Sequence, residues 1–169
     1  MGITFNANEI FEMAEDIERD GAKFYRQAAK STTDEKTKHI LLDLAKMEDG
    51  HLKTFEEMRK ELSAKEKEET VFDPHNEAAM YLQTMAEGHG WEGKKSLTEN
   101  LTGNEKIEDI LKIAINAENN SVVFYTGLKE LVPARAGKDK VEAIIKEELG
   151  HIAVLNHQLA ALKQADKLG

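Results

Sequence analysis

Four long segments of the chain carry apolar residues at every third or fourth position, the spacing that lines one face of an α-helix. The first two predicted helices cover about residues 8–30 and 34–62. The third starts after the sequence TGNE at 102–105, which has the form of a capping box, and stops at Pro133. The fourth begins near Gly137. The pattern therefore predicts an all-α chain.

The connections between these helices differ in length. Short loops join the first helix to the second and the third to the fourth, whereas residues 64–103 separate the two pairs. This segment contains a charged run and a short predicted helix opened by Asp73-Pro74, and it is too long for a helical hairpin. One long crossover is typical of a ferritin-like four-helix bundle, while the alternative, an up-down-up-down bundle, would not need it. We predict a single ferritin-like domain over residues 1–169, with hairpins at about 8–63 and 104–165.

A Glu–Tyr–Glu–His pattern lies on the apolar stripes and occurs twice, at an offset of one hundred positions. Each Glu-x-x-His pair places a carboxylate and an imidazole on one helical face. Within each hairpin the two Glu residues are equally far from the turn, so antiparallel helices bring them to the same height. Six metal-ligand side chains are therefore predicted to meet in one cavity: Glu18, Glu48, His51, Glu118, Glu148 and His151.

Charge explains why this cavity calls for cations. Four ionised carboxylates in an apolar core are costly without compensation, and two divalent ions would neutralise them. Oxygen and nitrogen ligands without thiolate suit iron or manganese, and zinc can also occupy such a site.

Three further side chains lie close to these ligands in the sequence. Tyr25 and Tyr125 are read as core tyrosines whose hydroxyls need partners, with a redox role as the alternative. A hydrogen bond to a ligand carboxylate would satisfy both interpretations, which makes them candidate supports of the metal ligands. Glu147, next to Glu148, falls off the apolar stripe and is expected at the surface.

Composition excludes several classes of function. The formal net charge of −9 argues against nucleic acid or an anionic membrane as partner. The chain has no cysteine, so disulfides, zinc–thiolate sites and iron–sulfur clusters are excluded. No signal peptide and no membrane-spanning run is visible, and the expected location is the cytoplasm.

The four helical segments resemble the rubrerythrin-like branch of the ferritin-like di-iron carboxylate proteins. The similar segments are AEDIERDGAKFYRQAA, LAKMEDGHLKTFEEM, IAINAENNSVVFYTGL and IIKEELGHIAVLNHQL. The resemblance implies two iron ions, with Glu18 and Glu118 as single-carboxylate ligands and Glu48 and Glu148 as bridging carboxylates. It implies that His51 and His151 each cap one iron, and that the protein forms a homodimer.

Two features depart from the pattern of this family. Rubrerythrins carry an additional Glu three residues after the ligand on the third helix, and that position here is Ser121. They also carry a rubredoxin domain with a cysteine-ligated iron, which a chain without cysteine cannot form. Electrons for turnover must therefore come from an external donor.

Three functions follow as hypotheses. The first is a di-iron oxidoreductase that reduces hydrogen peroxide or dioxygen with electrons from that donor, because a site with only two His among six protein ligands leaves coordination positions for an oxygen species. The second is an iron-handling or ferroxidase protein, which the acidic balance of the chain suggests. The third is a bundle that a redox-inactive metal stabilises for interaction with other proteins.

Overall fold

The computed structural model describes residues 5–68, 75, 77, 80, 82, 84, 96–132 and 134–168. Its helices are α1 (Ala7–Ser31), α2 (Glu35–Lys60), α3 (Ala64–Glu68), α4 (Ile107–Leu131) and α5 (Lys138–Leu168), with 3-10 turns at Thr98–Asn100 and Ala134–Ala136. The four long helices begin and end within a few residues of the predicted bounds, and the prediction of an all-α bundle is confirmed. No helix in the described ranges is long and apolar enough to cross a membrane.

The helix starts are fixed by local hydrogen bonds. Asn6 and Glu9 form a reciprocal capping box at the start of α1, and the Asp34 side chain accepts a hydrogen bond from the Thr37 backbone at the start of α2. The predicted capping box at 102–105 is different. Its Glu accepts hydrogen bonds from the Thr and Gly backbone, but α4 begins two residues later, so these bonds order the turn that precedes the helix.

Two hairpins form the bundle, since α1 packs along α2 and α4 packs along α5. Their facing sides bury two apolar clusters. One cluster contains Phe11, Phe55, Tyr125, Leu128 and Val141, and the other contains Phe24, Tyr25, Leu41, Leu111 and Leu155. The predicted metal ligands lie along the chain between the residues of these two clusters, so the polar layer is enclosed by apolar side chains on both sides.

The crossover is described only in part. Its predicted short helix, which opens at Asp73-Pro74, falls largely outside the described residues, although Leu82 is fully buried in the first apolar cluster. At the end of the crossover, the Leu97 backbone donates a hydrogen bond of 3.0 Å to the buried carboxylate of Asp20 on α1. This bond fixes the returning chain beside the middle of α1.

Candidate metal centre

The six residues predicted to converge do so in the middle of the bundle. The ligand-type side chains are Glu18 on α1, Glu48 and His51 on α2, Glu118 on α4, and Glu148 and His151 on α5. None of them is more than 4 % exposed. One chain therefore supplies all six side chains, with every long helix contributing at least one carboxylate.

These side chains form two groups of four whose ligand atoms all lie within 4.8 Å of one another. The first group is Glu18, Glu48, His51 and Glu148, and the second is Glu48, Glu118, Glu148 and His151. The carboxylates of the two Glu-x-x-His pairs belong to both groups, whereas each remaining Glu and each His belongs to one. Two neighbouring ions that share two carboxylates would fit this arrangement.

The imidazoles approach the carboxylates through the same nitrogen. His51 Nδ1 lies 3.1 Å from Glu148 Oε1 and 3.4 Å from Glu18 Oε2. His151 Nδ1 lies 2.9 Å from Glu148 Oε2 and 3.2 Å from Glu48 Oε1. The two rings are stacked, with centroids 5.7 Å apart. Both Nδ1 atoms therefore point into the space that the carboxylates surround.

The oxygen and nitrogen atoms around this cavity are better placed to coordinate metal ions than to form hydrogen bonds with one another. Within the described part of the chain, the fully buried Glu18 Oε2, Glu48 Oε1, both Glu148 carboxylate oxygens and both His Nδ1 atoms have no hydrogen-bond partner of acceptable geometry. Buried polar atoms are otherwise almost always paired, so this concentration of unpaired oxygen and nitrogen atoms needs an explanation. Two cations coordinated by these atoms would provide it.

The two tyrosines connect the hairpins. The Tyr25 hydroxyl on α1 donates to Glu118 Oε1 on α4, and the Tyr125 hydroxyl on α4 donates to Glu18 Oε1 on α1. Each tyrosine thus supports the carboxylate that belongs to only one of the two groups. The sequence led us to expect a hydrogen bond to a ligand carboxylate, and the structure adds that each bond crosses to the opposite hairpin.

The protonation of the cluster without metal follows from burial and mutual charge. Burial and the charge of Glu48 raise the pKa of Glu18 and of Glu118 well above its usual range. Burial opposes charge on the imidazoles too, but the carboxylates around them outweigh it and raise the pKa of His151 to about 12 and that of His51 well above its usual range. Despite its burial, Glu148 has a lowered pKa because the two imidazoles face it.

The pKa of Glu48 is set by the same two opposing effects, burial and the neighbouring imidazoles. Burial raises its pKa, but Glu18 and the two imidazoles outweigh burial and lower it. Without metal, these shifts favour protons on Glu18, Glu118 and both imidazoles and the charged forms of Glu48 and Glu148, so the charges of the cluster largely offset one another. Two divalent ions bound to four carboxylates give the same net charge, so metal would exchange with protons.

One contact was missed by sequence reasoning. Glu147 is 52 % exposed at its side chain, as expected, yet its Oε2 lies 2.9 Å from His51 Nε2, the ring nitrogen that faces away from the cavity. The corresponding nitrogen of His151 is buried and has no hydrogen-bond partner among the described residues. Exposed glutamates next to a metal ligand in the sequence are common and do not indicate a contact with it. The only sign of this contact in the sequence was that Glu147 directly precedes Glu148.

A small cavity lies against the other side of the cluster. It measures about 10 Å³ and is lined by Gly21, Ser121, Glu48 and Glu118 among others. This is about the space of one water molecule. Ser121, which stands where rubrerythrins carry an additional Glu, therefore leaves room beside two of the ligand-type carboxylates.

The chain matches known proteins at the level of family and fold. The family model described as Rubrerythrin matches residues 9–107, more than half of the chain. A solved structure from Thermotoga maritima, provisionally named a ferritin-like diiron-carboxylate protein, has 20 % sequence identity and a TM-score of 0.67 and covers 95 % of this chain and 98 % of its own. No curated protein matches the sequence. With the buried Glu and His cluster in place on this fold, the family match identifies the chain as a member of the rubrerythrin family.

Proposed function

We propose that the protein is a di-iron carboxylate oxidoreductase that reduces hydrogen peroxide or dioxygen with electrons from an external donor. The observation that carries this proposal is the pair of four-residue groups that share two buried carboxylates. Glu18 and His51 would hold one iron, Glu118 and His151 the other, and the two shared carboxylates would bridge them. The proposal keeps the cytoplasmic location and the homodimer expected from the sequence.

Iron is favoured by the chemistry of the donor set, because carboxylate and imidazole ligands without thiolate bind iron and manganese well. Two irons bound here would supply the electrons that reduce a small oxidant. Zinc would fit the same ligands but is not redox-active. The function therefore depends on which metal the site takes, and metal identity is the first quantity to measure.

The chain's own residues have four tasks in this proposal. The two His residues would present Nδ1 to the metals. The tyrosine hydroxyls orient the carboxylates of Glu18 and Glu118 through hydrogen bonds. The apolar clusters on both sides of the polar layer exclude bulk water from it. The cavity beside Ser121 provides about the space of one water molecule next to Glu48 and Glu118.

The absence of cysteine in this sequence supports an external donor. Without cysteine the chain cannot bind a rubredoxin-type iron, so it has no such centre to pass electrons inward. We propose that a separate reductant supplies them.

The test begins with metal content. Protein produced in iron-supplemented medium should contain about two irons per chain, and Glu148→Ala should lose most of them because this carboxylate belongs to both groups. Glu142→Ala, which removes an exposed carboxylate from the same helix, is the matched control and should keep both irons. Metal content that Glu148→Ala leaves unchanged would show that these residues do not form the site.

Reactivity is then measured by stopped-flow mixing of the ferrous protein with peroxide and with dioxygen. Oxidation by one of them much faster than that of free ferrous ion supports the oxidoreductase. Oxidation no faster than the free ion contradicts it. Many irons per chain in a large assembly would instead support iron handling, and a full gain in stability with zinc without oxygen chemistry would support a structural metal.

A further inference from the structure

The two halves of the site are alike in their ligands but not in what lies behind the two imidazoles. Behind His51, Glu147 accepts a hydrogen bond from Nε2 at 2.9 Å. The residue one hundred positions earlier, which stands in the same place relative to its own Glu-x-x-His pair, is Met47. Met47, Glu147 and His151 all line one groove of about 390 Å³ between α2 and α5. The carboxylate present in one half is thus replaced by a thioether in the other.

We propose that Glu147 is a positioning residue that makes the His51 metal position fill first and bind more tightly than the His151 position. The inference deepens the proposed function and rests on its two-metal site. It predicts that the two metals are inequivalent, although their protein ligands repeat.

The physical basis is the direction of the imidazole proton. A neutral imidazole carries its proton on one nitrogen and offers a lone pair on the other. When Nε2–H donates to Glu147, the ring is held as the tautomer whose Nδ1 lone pair faces the cavity, and the ring cannot rotate without breaking that bond. Loss of such a partner typically lowers metal affinity by about 10–100-fold.

His151 lacks this support in the described structure. Its Nε2 is fully buried and has no hydrogen-bond partner among the described residues. A methionine thioether is at most a weak acceptor, so Met47 cannot replace a carboxylate. Metal binding at His151 must therefore fix the ring and its tautomer without a partner.

The surface position of Glu147 does not argue against this role. An exposed ion pair between two flexible side chains contributes little. Here the partner is a rigid ring that is only 5 % exposed, and its other nitrogen faces carboxylates 3.1–3.4 Å away. Glu147 alone has to be ordered to form the bond.

The experiment measures stepwise binding of Co²⁺ to the metal-free full chain by competition with a chelator. Paramagnetically shifted imidazole N–H signals of ¹⁵N-histidine-labelled protein report which His is bound at one equivalent. For the wild type we expect two steps at least about tenfold apart, with His51 occupied first. Glu147→Met makes the two halves alike and should weaken binding at the His51 position by about 10–100-fold while leaving binding at the His151 position within threefold.

Three further variants separate positioning from charge. Glu147→Gln keeps an oxygen acceptor and should retain most of the first-step affinity. Met47→Glu supplies the missing carboxylate and should strengthen the second step by about tenfold. Glu142→Met removes a similar exposed charge from α5 and should change neither step by more than about threefold.

The results that overturn the proposal are distinct from those that overturn the proposed function. Two metals bound in steps that Glu147→Met leaves unchanged, or weakens equally as a charge effect, would refute the positioning role and leave the di-metal site intact. A wild-type chain that binds no Co²⁺ at all would refute both.

Discussion

Removal of the Tyr125 hydroxyl tests how strongly the second layer holds the ligands. The ring is fully buried and contacts Phe55 and Phe124 at centroid distances of 5.1 and 5.7 Å. Tyr125→Phe keeps these apolar contacts and removes only the group that donates to Glu18. The variant therefore isolates one hydrogen bond to a buried carboxylate.

The magnitude depends on the charge of that carboxylate. A hydrogen bond to a charged group contributes about 1.5–3 kcal/mol, and one to a neutral group contributes about 1 kcal/mol. Burial raises the pKa of Glu18 and so favours the protonated carboxyl without metal, whereas a bound cation would favour the carboxylate. The expected loss is about 1 kcal/mol for the metal-free protein and about 1.5–3 kcal/mol for the loaded protein. The difference corresponds to a loss of metal affinity of up to about 30-fold.

Urea and thermal unfolding of both forms measure these losses. For a chain of this length, each kcal/mol shifts the melting temperature by about 2–4 °C, so the loaded variant should melt about 3–12 °C lower. Tyr25→Phe removes the equivalent bond to Glu118 and should behave similarly. Thr126→Val, which removes an exposed hydroxyl bonded to a backbone carbonyl of its own helix, is the control and should stay within about 0.5 kcal/mol.

Two results would refute this reasoning. If Tyr125→Phe stays within about 0.5 kcal/mol of the wild type in both forms, the hydroxyl does not support the carboxylate. If the metal-free protein loses more stability than the loaded protein, Glu18 is not the protonated partner that its environment indicates.

Other predictions concern the scaffold and the pH dependence of the site. Arg59→Met leaves the buried carboxylate of Glu15 without its two hydrogen bonds of 2.6 and 2.9 Å and should cost about 1–3 kcal/mol in urea unfolding, and an unchanged midpoint would contradict this. Gly50→Ala and Gly150→Ala should each stabilise the isolated chain by about 0.5–1 kcal/mol, because an added Cβ meets no described atom within 4 Å; a loss of stability would mean that another surface covers these positions. Because the surrounding carboxylates raise the pKa of His151 to about 12, its proton is held at neutral pH and competes with metal, so metal affinity should rise with pH between 6 and 8, with about four protons released from the whole cluster on full loading. Calorimetry in buffers of different ionisation enthalpy counts these protons, and a flat affinity over that range would refute the exchange.

The convergence of the ligands could be predicted from the sequence because two independent features agree, namely the helical spacing of the ligands and their distances from the turn. The helical spacing places Glu48 and His51 on one face, and equal distances from a turn bring Glu18 and Glu48 to one height. The first turn is centred where the prediction placed it, between Ser31 and Glu35. Short connections leave little freedom for the register of a hairpin, so the sequence positions translate directly into heights in the bundle.

The contacts between the hairpins could not be predicted in the same way. The sequence indicated that Tyr25 needs a partner, but the choice of Glu118 depends on how far apart the hairpins pack and on which rotamer the ring takes. Glu147 illustrates the same limit. The apolar stripe that faces the core is about 100° wide. A residue at the edge of this stripe contacts a neighbouring helix only if the two helices approach closely enough.

The differences between the two halves can distinguish the two metal positions, whereas the repeated ligands cannot. The repeated ligands would suit two metals but would not distinguish them, since each half offers the same donor atoms. The side chains that differ between the halves include Glu147, which contacts the His51 imidazole, and Met47, which lines a groove with His151. They also include Gly21 and Ser121, which line the small cavity beside Glu48 and Glu118. A metal with a supported imidazole is held more firmly, and one beside open space has room for a small molecule. A division of roles between two metals would therefore have to be sought in the surrounding residues, because the ligand residues are the same in both halves.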